Sequence, residues 1–245
     1  MKITNPHHLQ LLKIIDQTKS GCKQTDTVWV QKYLGSNKTF HGFSSRQMSL
    51  LVKTFLDNNK LDESQCLKLL DSLYQKGTSY TEIALAAMIL PRSLLIKSFD
   101  PKHLDLWLNY THGWAENDVL CQSNFSADIL LNNWDDWQKI LKEFNQSDNI
   151  NKRRASLVLL TKSLRQSDDL RLSKITFTNI DNLKSEKEIL ITKAVSWALR
   201  ALVKFHKDEV LTYLEKNKDT LPKIVYREAL SKALTGKKYI NKSKK

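Results

Sequence analysis

The chain has 245 residues, and the 41% that are hydrophobic suffice to bury a sizeable core, which excludes wholesale disorder. Only 6 glycines and 4 prolines are present, whereas a β-sandwich or barrel needs turn residues about every ten positions, so an all-β fold is excluded as well. The net charge of +13 lies wholly in residues 139–245, which hold 25 Lys and Arg against 12 Asp and Glu. A polyanion such as nucleic acid is the expected partner of this half, with a merely solubilising surface as the alternative.

Apolar residues at three-and-four spacing predict helices throughout the amino-terminal half. The first helix carries the stripe of residues 9, 12 and 15, and a second follows Ser44. Asp62 has Gln65 three residues further on, which is the pattern of a capping box at a helix start. The Ala-rich segment 80–90 is a predicted helix that Pro91 ends, and Asp100 begins the next one.

The same spacing predicts further helices in the carboxy-terminal half. They are expected at about residues 114–131, 134–144, 150–165, 170–182, 186–206, 208–217 and 222–234. Residues 174–180 have the β-branching of a strand but no neighbouring partner, so they are interpreted as helix. The core stripe of the 186–206 helix is predicted to be Leu190, Ala194, Ala198, Leu202 and Phe205.

Many short helices joined by short polar breaks are typical of stacked helical pairs. We therefore expect an all-α fold, an α-α superhelix or solenoid of degenerate HEAT-like repeats, with a concave basic surface that binds DNA. Residues 1–236 are predicted to form a single domain, and residues 237–245 a flexible basic tail.

No sequence pattern indicates a cofactor or metal site. Neither GxGxxG nor GxxxxGK[ST] occurs, and the six histidines form no HExxH. Cys22, Cys66 and Cys121 lie far apart and are interpreted as small buried hydrophobes in a reducing compartment. Because neither a signal pattern nor an apolar run of membrane-spanning length is present, we expect a soluble cytoplasmic protein, nucleoid-associated if bacterial, without a membrane partner.

Trp114 and Asp118 are the first candidate site residues. Their i, i+4 spacing places the ring and the carboxylate on one helix face, one turn apart. The alternative interpretation is a core tryptophan beside a surface aspartate.

Two further candidates lie in the basic half. A single stripe of the predicted 186–206 helix consists of Lys193, Trp197, Arg200 and Lys204. A tryptophan that shares a face with three cations, away from the core stripe, is unusual. Arg153 and Arg154 stand where a loop enters a helix, and basic side chains near the free N–H groups of a helix start suit phosphate contacts.

These segments, in this order, resemble the HEAT-like-repeat DNA glycosylases that remove alkylated purines, the AlkD family. The resemblance rests on Trp114 with Asp118, on Trp197 within Ser-Trp-Ala-Leu-Arg200, and on Arg154 after Asp148-Asn-Ile150. The stretch from Tyr33 to Lys53 and the segment Tyr226-Arg-Glu-Ala229 are similar to two further family regions. Asn151, where the family often has an aromatic residue, and the run 115–117 depart from the family pattern.

The resemblance implies a cofactor-free, monomeric DNA glycosylase acting on N3- or N7-alkylated purines in double-stranded DNA, a step of base excision repair. It implies that Asp118 is the catalytic carboxylate and that Trp114 and Trp197 flank the deoxyribose and the cationic lesion. The implied DNA-binding residues are Arg154, which would hold the phosphate beside the lesion, with Tyr33, Arg153, Lys193, Arg200 and Lys204.

Two alternatives remain open at the level of sequence. One is a non-catalytic relative that binds damaged or branched DNA without excising a base. The other is a helical-repeat scaffold for an acidic protein, in which Trp114 and Trp197 would be buried core residues.

Overall fold

The computed structural model of the protein describes residues 2–19, 27–122 and 124–239. Over these residues the fold is all-α, as the sequence predicts. Their only β-type pairing is one isolated bridge between Thr39 and Ser79. None of the described helices combines the length and the apolarity that crossing a membrane requires. The chain divides into two compact units, residues 1–120 and 121–245.

The first unit is built from short helices. They are α1 (Pro6–Lys19), α2 (Thr27–Leu34), α3 (Ser45–Asn58), α4 (Glu63–Lys76), α5 (Tyr80–Ile89), α6 (His103–Trp107) and most of α7 (Gly113–Cys121). Complete capping boxes begin α3, α4 and α5. In each, the side chain of the N-cap residue accepts the backbone N–H of the third helical residue, whose own side chain accepts the backbone N–H of the N-cap residue. Pro91 ends α5, and two 3-10 helices, Leu90–Arg92 and Leu94–Lys97, follow.

The second unit continues the helical succession. Its helices are α8 (Ala127–Asn132), α9 (Trp134–Asn145), α10 (Ile150–Val158), α11 (Leu160–Ser163), α12 (Leu170–Leu183), α13 (Ile189–Leu202), α14 (Lys207–Lys216) and α15 (Lys223–Thr235). The β-branched residues 174–180 lie within α12, so their helical interpretation is confirmed.

Two predicted helices are divided in the structure. The predicted helix 114–131 is two helices, because the Ser126 hydroxyl accepts the N–H of Ile129 and begins α8 afresh. The predicted helix 150–165 is divided at Leu159. Phe205 lies beyond the end of α13 and is 42% exposed, so its place in the predicted core stripe is wrong.

A buried polar cluster joins three helices of the first unit. The ring of His8 on α1 contacts the Ser72 hydroxyl on α4 through Nδ1 and the Glu82 carboxylate on α5 through Nε2, both at 2.8 Å. Glu82 also accepts the N–H and the hydroxyl of Ser79. Burial alone would raise the pKa of Glu82, but the hydrogen bonds from His8 and Ser79 lower it below its ordinary value.

This cluster predicts a specific loss of stability in acid. Because the pKa of Glu82 is lower in the folded chain than in the unfolded one, its ionised form stabilises the fold above the ordinary glutamate pKa of about 4.3, and the stabilisation disappears as the pH falls through the folded pKa. Glu82→Gln is therefore expected to be less stable than wild type at neutral pH, and its stability should decline less on acidification. Urea denaturation between about pH 3 and pH 7 measures both effects.

Glu215→Gln, at an exposed position on α14, is the control and should retain the wild-type pH profile. Parallel profiles for wild type and Glu82→Gln would contradict the role of this carboxylate.

Candidate nucleic-acid interface

The first group of candidate residues lies on one face of α7. Trp114 and Asp118 lie one turn apart there, and both are half-buried. The indole Nε1 of Trp114 donates a hydrogen bond of 2.7 Å to the backbone carbonyl of Tyr33. The Tyr33 ring meets the indole edge-on at a centroid distance of 5.5 Å. Two residues predicted to belong to the site, Tyr33 and Trp114, are thus in direct contact, with Asp118 on the next turn.

An exposed aromatic pair adjoins Trp114. The rings of Trp29 and Tyr33 stack with centroids 5.4 Å apart and an interplanar angle of 2°. Their exposed fractions, 61% and 58%, show that this pair is presented to solvent. The sequence reasoning missed Trp29, although its i, i+4 spacing to Tyr33 is the signal that could have found it.

The opposite face of α7 is buried. It contains Ala115, Glu116 and Asn117, the run that departs from the family pattern, and none of these three is more than 3% exposed. The departures in this run therefore change the core-facing side of α7, and leave the face that carries Trp114 and Asp118 unaltered.

Asp118 influences its surroundings electrostatically. The phenol of Tyr80, at the start of α5, has a pKa raised by burial and further raised by the negative charges of Glu116 and Asp118. The Asp118 carboxylate thus lies close enough to Tyr80 to oppose ionisation of its hydroxyl.

A second group of candidate residues lies in the other unit, on the least buried face of α13. Lys193 is exposed, Trp197 and Arg200 are half-buried, and Lys204 just beyond the helix is exposed. Arg200 is held by a 3.1 Å hydrogen bond from Nε to the Ser196 carbonyl and lies 3.7 Å from the Glu228 carboxylate. Burial lowers the pKa of its guanidinium. The Lys204 ammonium donates to the Arg165 carbonyl at 2.6 Å.

The two arginines at the start of α10 are less accessible than predicted. Arg154 is 3% exposed, and its guanidinium donates to the Leu190 carbonyl. Arg153 donates to the carbonyls of Ser147 and Asp148 and forms an ion pair of 2.9 Å with Glu186. The Arg154 guanidinium is therefore bonded within its own unit, and its contact with a phosphate stays a prediction.

Neither candidate tryptophan is a core residue. Trp114 and Trp197 are both half-buried, whereas the core tryptophans Trp107 and Trp137 are fully buried. The scaffold hypothesis, which requires both candidate rings in the core, therefore disagrees with the structure.

Comparison with known proteins identifies the family. Residues 19–233 match the family model described as "DNA alkylation repair enzyme". The chain belongs to the DNA alkylation repair enzyme family. A solved structure described as a predicted DNA alkylation repair enzyme from Enterococcus faecalis has a TM-score of 0.70, with 17% sequence identity, over 87% of this chain and 98% of that chain. No curated protein matches the chain.

The resemblance inferred from the sequence motifs is thereby confirmed at the level of the family. Membership of the DNA alkylation repair enzyme family gives the chain a role in the repair of alkylated DNA. The matched residues 19–233 include every candidate site residue, from Tyr33 to Lys204. The predicted basic tail lies beyond the match.

The described residues show no built metal site. Among residues 2–19, 27–122 and 124–239, no group of three or more His, Cys, Asp or Glu side chains could hold a metal ion. Cys66 and Cys121 are buried, and burial raises the pKa of the Cys66 thiol. Cys22 lies outside the described residues.

Proposed function

We propose that this member of the DNA alkylation repair enzyme family is a DNA glycosylase that hydrolyses the N-glycosidic bond of N3- or N7-alkylated purines in double-stranded DNA. The observation that carries the proposal is the shared face of α7, where a half-buried carboxylate, Asp118, lies one turn from the Trp114 indole. The enzyme would act as a monomer in the cytoplasm, without a metal or organic cofactor.

The chemistry of the substrate suits a carboxylate and aromatic rings. Alkylation at a ring nitrogen makes the purine cationic, so the bond from C1′ to the base breaks with its electron pair passing to the base, which leaves neutral. The sugar then has oxocarbenium character, which the negative charge of Asp118 stabilises. The same carboxylate orients the water that attacks C1′ and accepts its proton. The ring faces of Trp114 and Trp197 would contribute cation–π stabilisation of the lesion.

The DNA backbone would be held chiefly by exposed cations. Lys193 and Lys204 are exposed on the same face of α13 as Trp197, and phosphate contacts of this kind position a duplex without reading its sequence. Arg200 and Arg153 are half-buried, so they would attract the DNA through their positive charge more than through direct contacts with phosphates. Tyr33 would contact the strand beside Trp114.

The experiment that tests the proposal is release of free base from methylated duplex DNA. Wild-type protein in the presence of EDTA is expected to release N3-methyladenine or N7-methylguanine, detected by chromatography, and to leave abasic sites. Unmethylated DNA of the same sequence is the control. No release from methylated DNA or from DNA carrying bulky N3 or N7 adducts would overturn the enzymatic proposal.

A second candidate function is DNA binding without excision, favoured by the exposed Lys193 and Lys204 in a half whose net charge is +13. It predicts binding to damaged or branched duplexes with a strong dependence on salt concentration. Lys193→Glu combined with Lys204→Glu should weaken that binding and reduce its salt dependence. Binding of the double variant equal to wild type would count against both functions.

A further inference from the structure

Glu116 is a buried carboxylate on the opposite side of α7 from the Trp114 and Asp118 face. The Glu116 side chain is fully buried, and its Oε2 lies 2.8 Å from the ammonium of Lys38, whose side chain is 9% exposed. The same oxygen accepts the backbone N–H of His112 at 2.9 Å, and Oε1 accepts the Ser36 hydroxyl. Lys38 also donates to the Tyr110 carbonyl at 3.0 Å. The cluster therefore joins the segment after α2 to the start of α7.

A close approach of two backbones lies beside this ion pair. Gly35 and Gly113 both have left-handed backbone angles, with φ of +67° and +68°. A Cβ on Gly113 would collide with the Gly35 carbonyl and lie 2.8 Å from its Cα. The contact leaves no room for a side chain at Gly113, whereas a Cβ on Gly35 would lie 3.3 Å from the Gly113 Cα.

These contacts bear directly on the candidate site. Tyr33 lies in the last turn of α2, the helix that precedes the Ser36–Lys38 segment, and Trp114 follows Gly113 directly. The hydrogen bond from the Trp114 indole to the Tyr33 carbonyl spans the same junction. Any displacement of α7 relative to the Ser36–Lys38 segment would therefore move the indole and the Asp118 carboxylate together.

Stability alone is a poor reason for burying this ion pair. The free energy needed to remove two charges from water is about as large as the free energy gained from their attraction. Well-packed apolar residues in their place often give a protein of equal or greater stability. The ion pair instead restricts the geometry of the junction, because the Glu116 carboxylate keeps its three hydrogen-bond donors in one arrangement of the two segments. Glu116 also belongs to the run in which this chain departs from the family pattern.

We propose that Glu116, through its ion pair with Lys38, is a positioning residue that fixes α7 so that Trp114 and Asp118 keep the geometry needed for base excision. The kinetic part of this inference rests on the proposed glycosylase function. The positional part concerns the placement of the Trp114 ring and is measurable without any activity.

Two variants distinguish an effect on the position of the Trp114 ring from an effect on folding. Glu116→Gln keeps the shape of the side chain and removes its charge, leaving Lys38 buried without a counter-ion. Lys38→Met combined with Glu116→Gln removes both charges and leaves an amide that can still accept the His112 N–H. Ser72→Ala is the matched control, because its hydroxyl contacts His8 in a buried polar cluster of the same unit that includes neither Glu116 nor Lys38.

Fluorine NMR of protein labelled with fluorotryptophan measures the position of the ring. The chain has 6 tryptophans, and the signal of Trp114 is assigned by its loss in Trp114→Phe. In the double variant we expect a cooperative thermal transition, a shifted or broadened Trp114 signal, and a single-turnover excision rate lower by about tenfold or more, with a Kd for DNA within about twofold of wild type. In Ser72→Ala the Trp114 signal and the excision rate should equal those of wild type.

Two outcomes would overturn the inference. A folded double variant with an unmoved Trp114 signal would show that the ion pair does not position the ring. An excision rate equal to wild type would show that the position is irrelevant to the reaction. If wild-type protein excises no base, the glycosylase proposal fails separately, and the Trp114 signal alone decides whether Glu116 positions the ring.

Discussion

Asp118→Asn is expected to lower the single-turnover rate constant of base release by roughly a hundred- to ten-thousandfold, while the protein remains folded and bound to DNA. The substitution keeps the size and planarity of the side chain but removes the negative charge that stabilises the oxocarbenium-like sugar. It also removes the acceptor for the proton of the attacking water. Because the charge acts in the transition state, its loss should appear in the rate constant and leave the Kd almost unchanged.

The measurement is single-turnover release of N7-methylguanine with enzyme in excess, together with a binding isotherm on the same duplex. Asp105→Asn, the same change at an exposed position on α6, is the control and should release base at the wild-type rate. A rate for Asp118→Asn within about threefold of wild type would remove Asp118 from the catalytic role. An equal loss in Asp105→Asn would show that the effect is one of overall charge.

Local sequence pattern was sufficient for much of the fold. Apolar spacing, capping boxes and helix-ending prolines act within a few residues, so Asp62, Ser44 and Pro91 mark helix boundaries in the sequence and in the structure alike. A local interaction also explains why the predicted helix 114–131 is divided. The Ser126 side chain caps a new helix at this position and so competes with continuation of the preceding one, and the spacing of apolar residues does not reveal that competition.

Contacts between distant residues explain where the sequence reasoning was incomplete. Lys38 and Glu116 are 78 residues apart, so nothing local indicates that these two charges form a buried pair. Arg154 looks like a surface cation at a helix start, but α10 packs against α9, α12 and α13, and its guanidinium reaches a carbonyl at the start of α13. A charge count along the chain treats all three residues as solvated, because burial is a property of packing and not of composition.

The same distinction changes how the basic half is expected to bind DNA. Its net charge is an electrostatic property of the whole half and attracts a polyanion at long range. Close contacts, however, require cations with donors that remain accessible. Lys193 and Lys204 are exposed, and the Lys204 ammonium has further donors besides the one bonded to the Arg165 carbonyl, whereas Arg154 is only 3% exposed. Replacement of the two lysines should therefore weaken DNA binding more than replacement of two average cations of the basic half.

Gly113→Ala is expected to destabilise the protein by about 3 kcal/mol or more and to separate Trp114 from Tyr33. The new Cβ would require a left-handed backbone at an alanine and would collide with the Gly35 backbone, which cannot rotate away as a side chain could. Relief of the collision moves α7 away from the segment after α2, which breaks the hydrogen bond from the Trp114 indole to the Tyr33 carbonyl. Urea denaturation measures the first effect, and the fluorine signal of Trp114 the second.

Gly236→Ala is the matched control for this prediction. Gly236 caps α15 with a nearly identical φ of +72°, but a Cβ there meets no atom within 4 Å. Its substitution therefore introduces the backbone strain alone, about 1 kcal/mol, without the collision. The difference between the two variants isolates the cost of separating the two backbones. Equal losses of stability would mean that strain at φ > 0 accounts for both, and that the contact between Gly35 and Gly113 does not hold α7 in place.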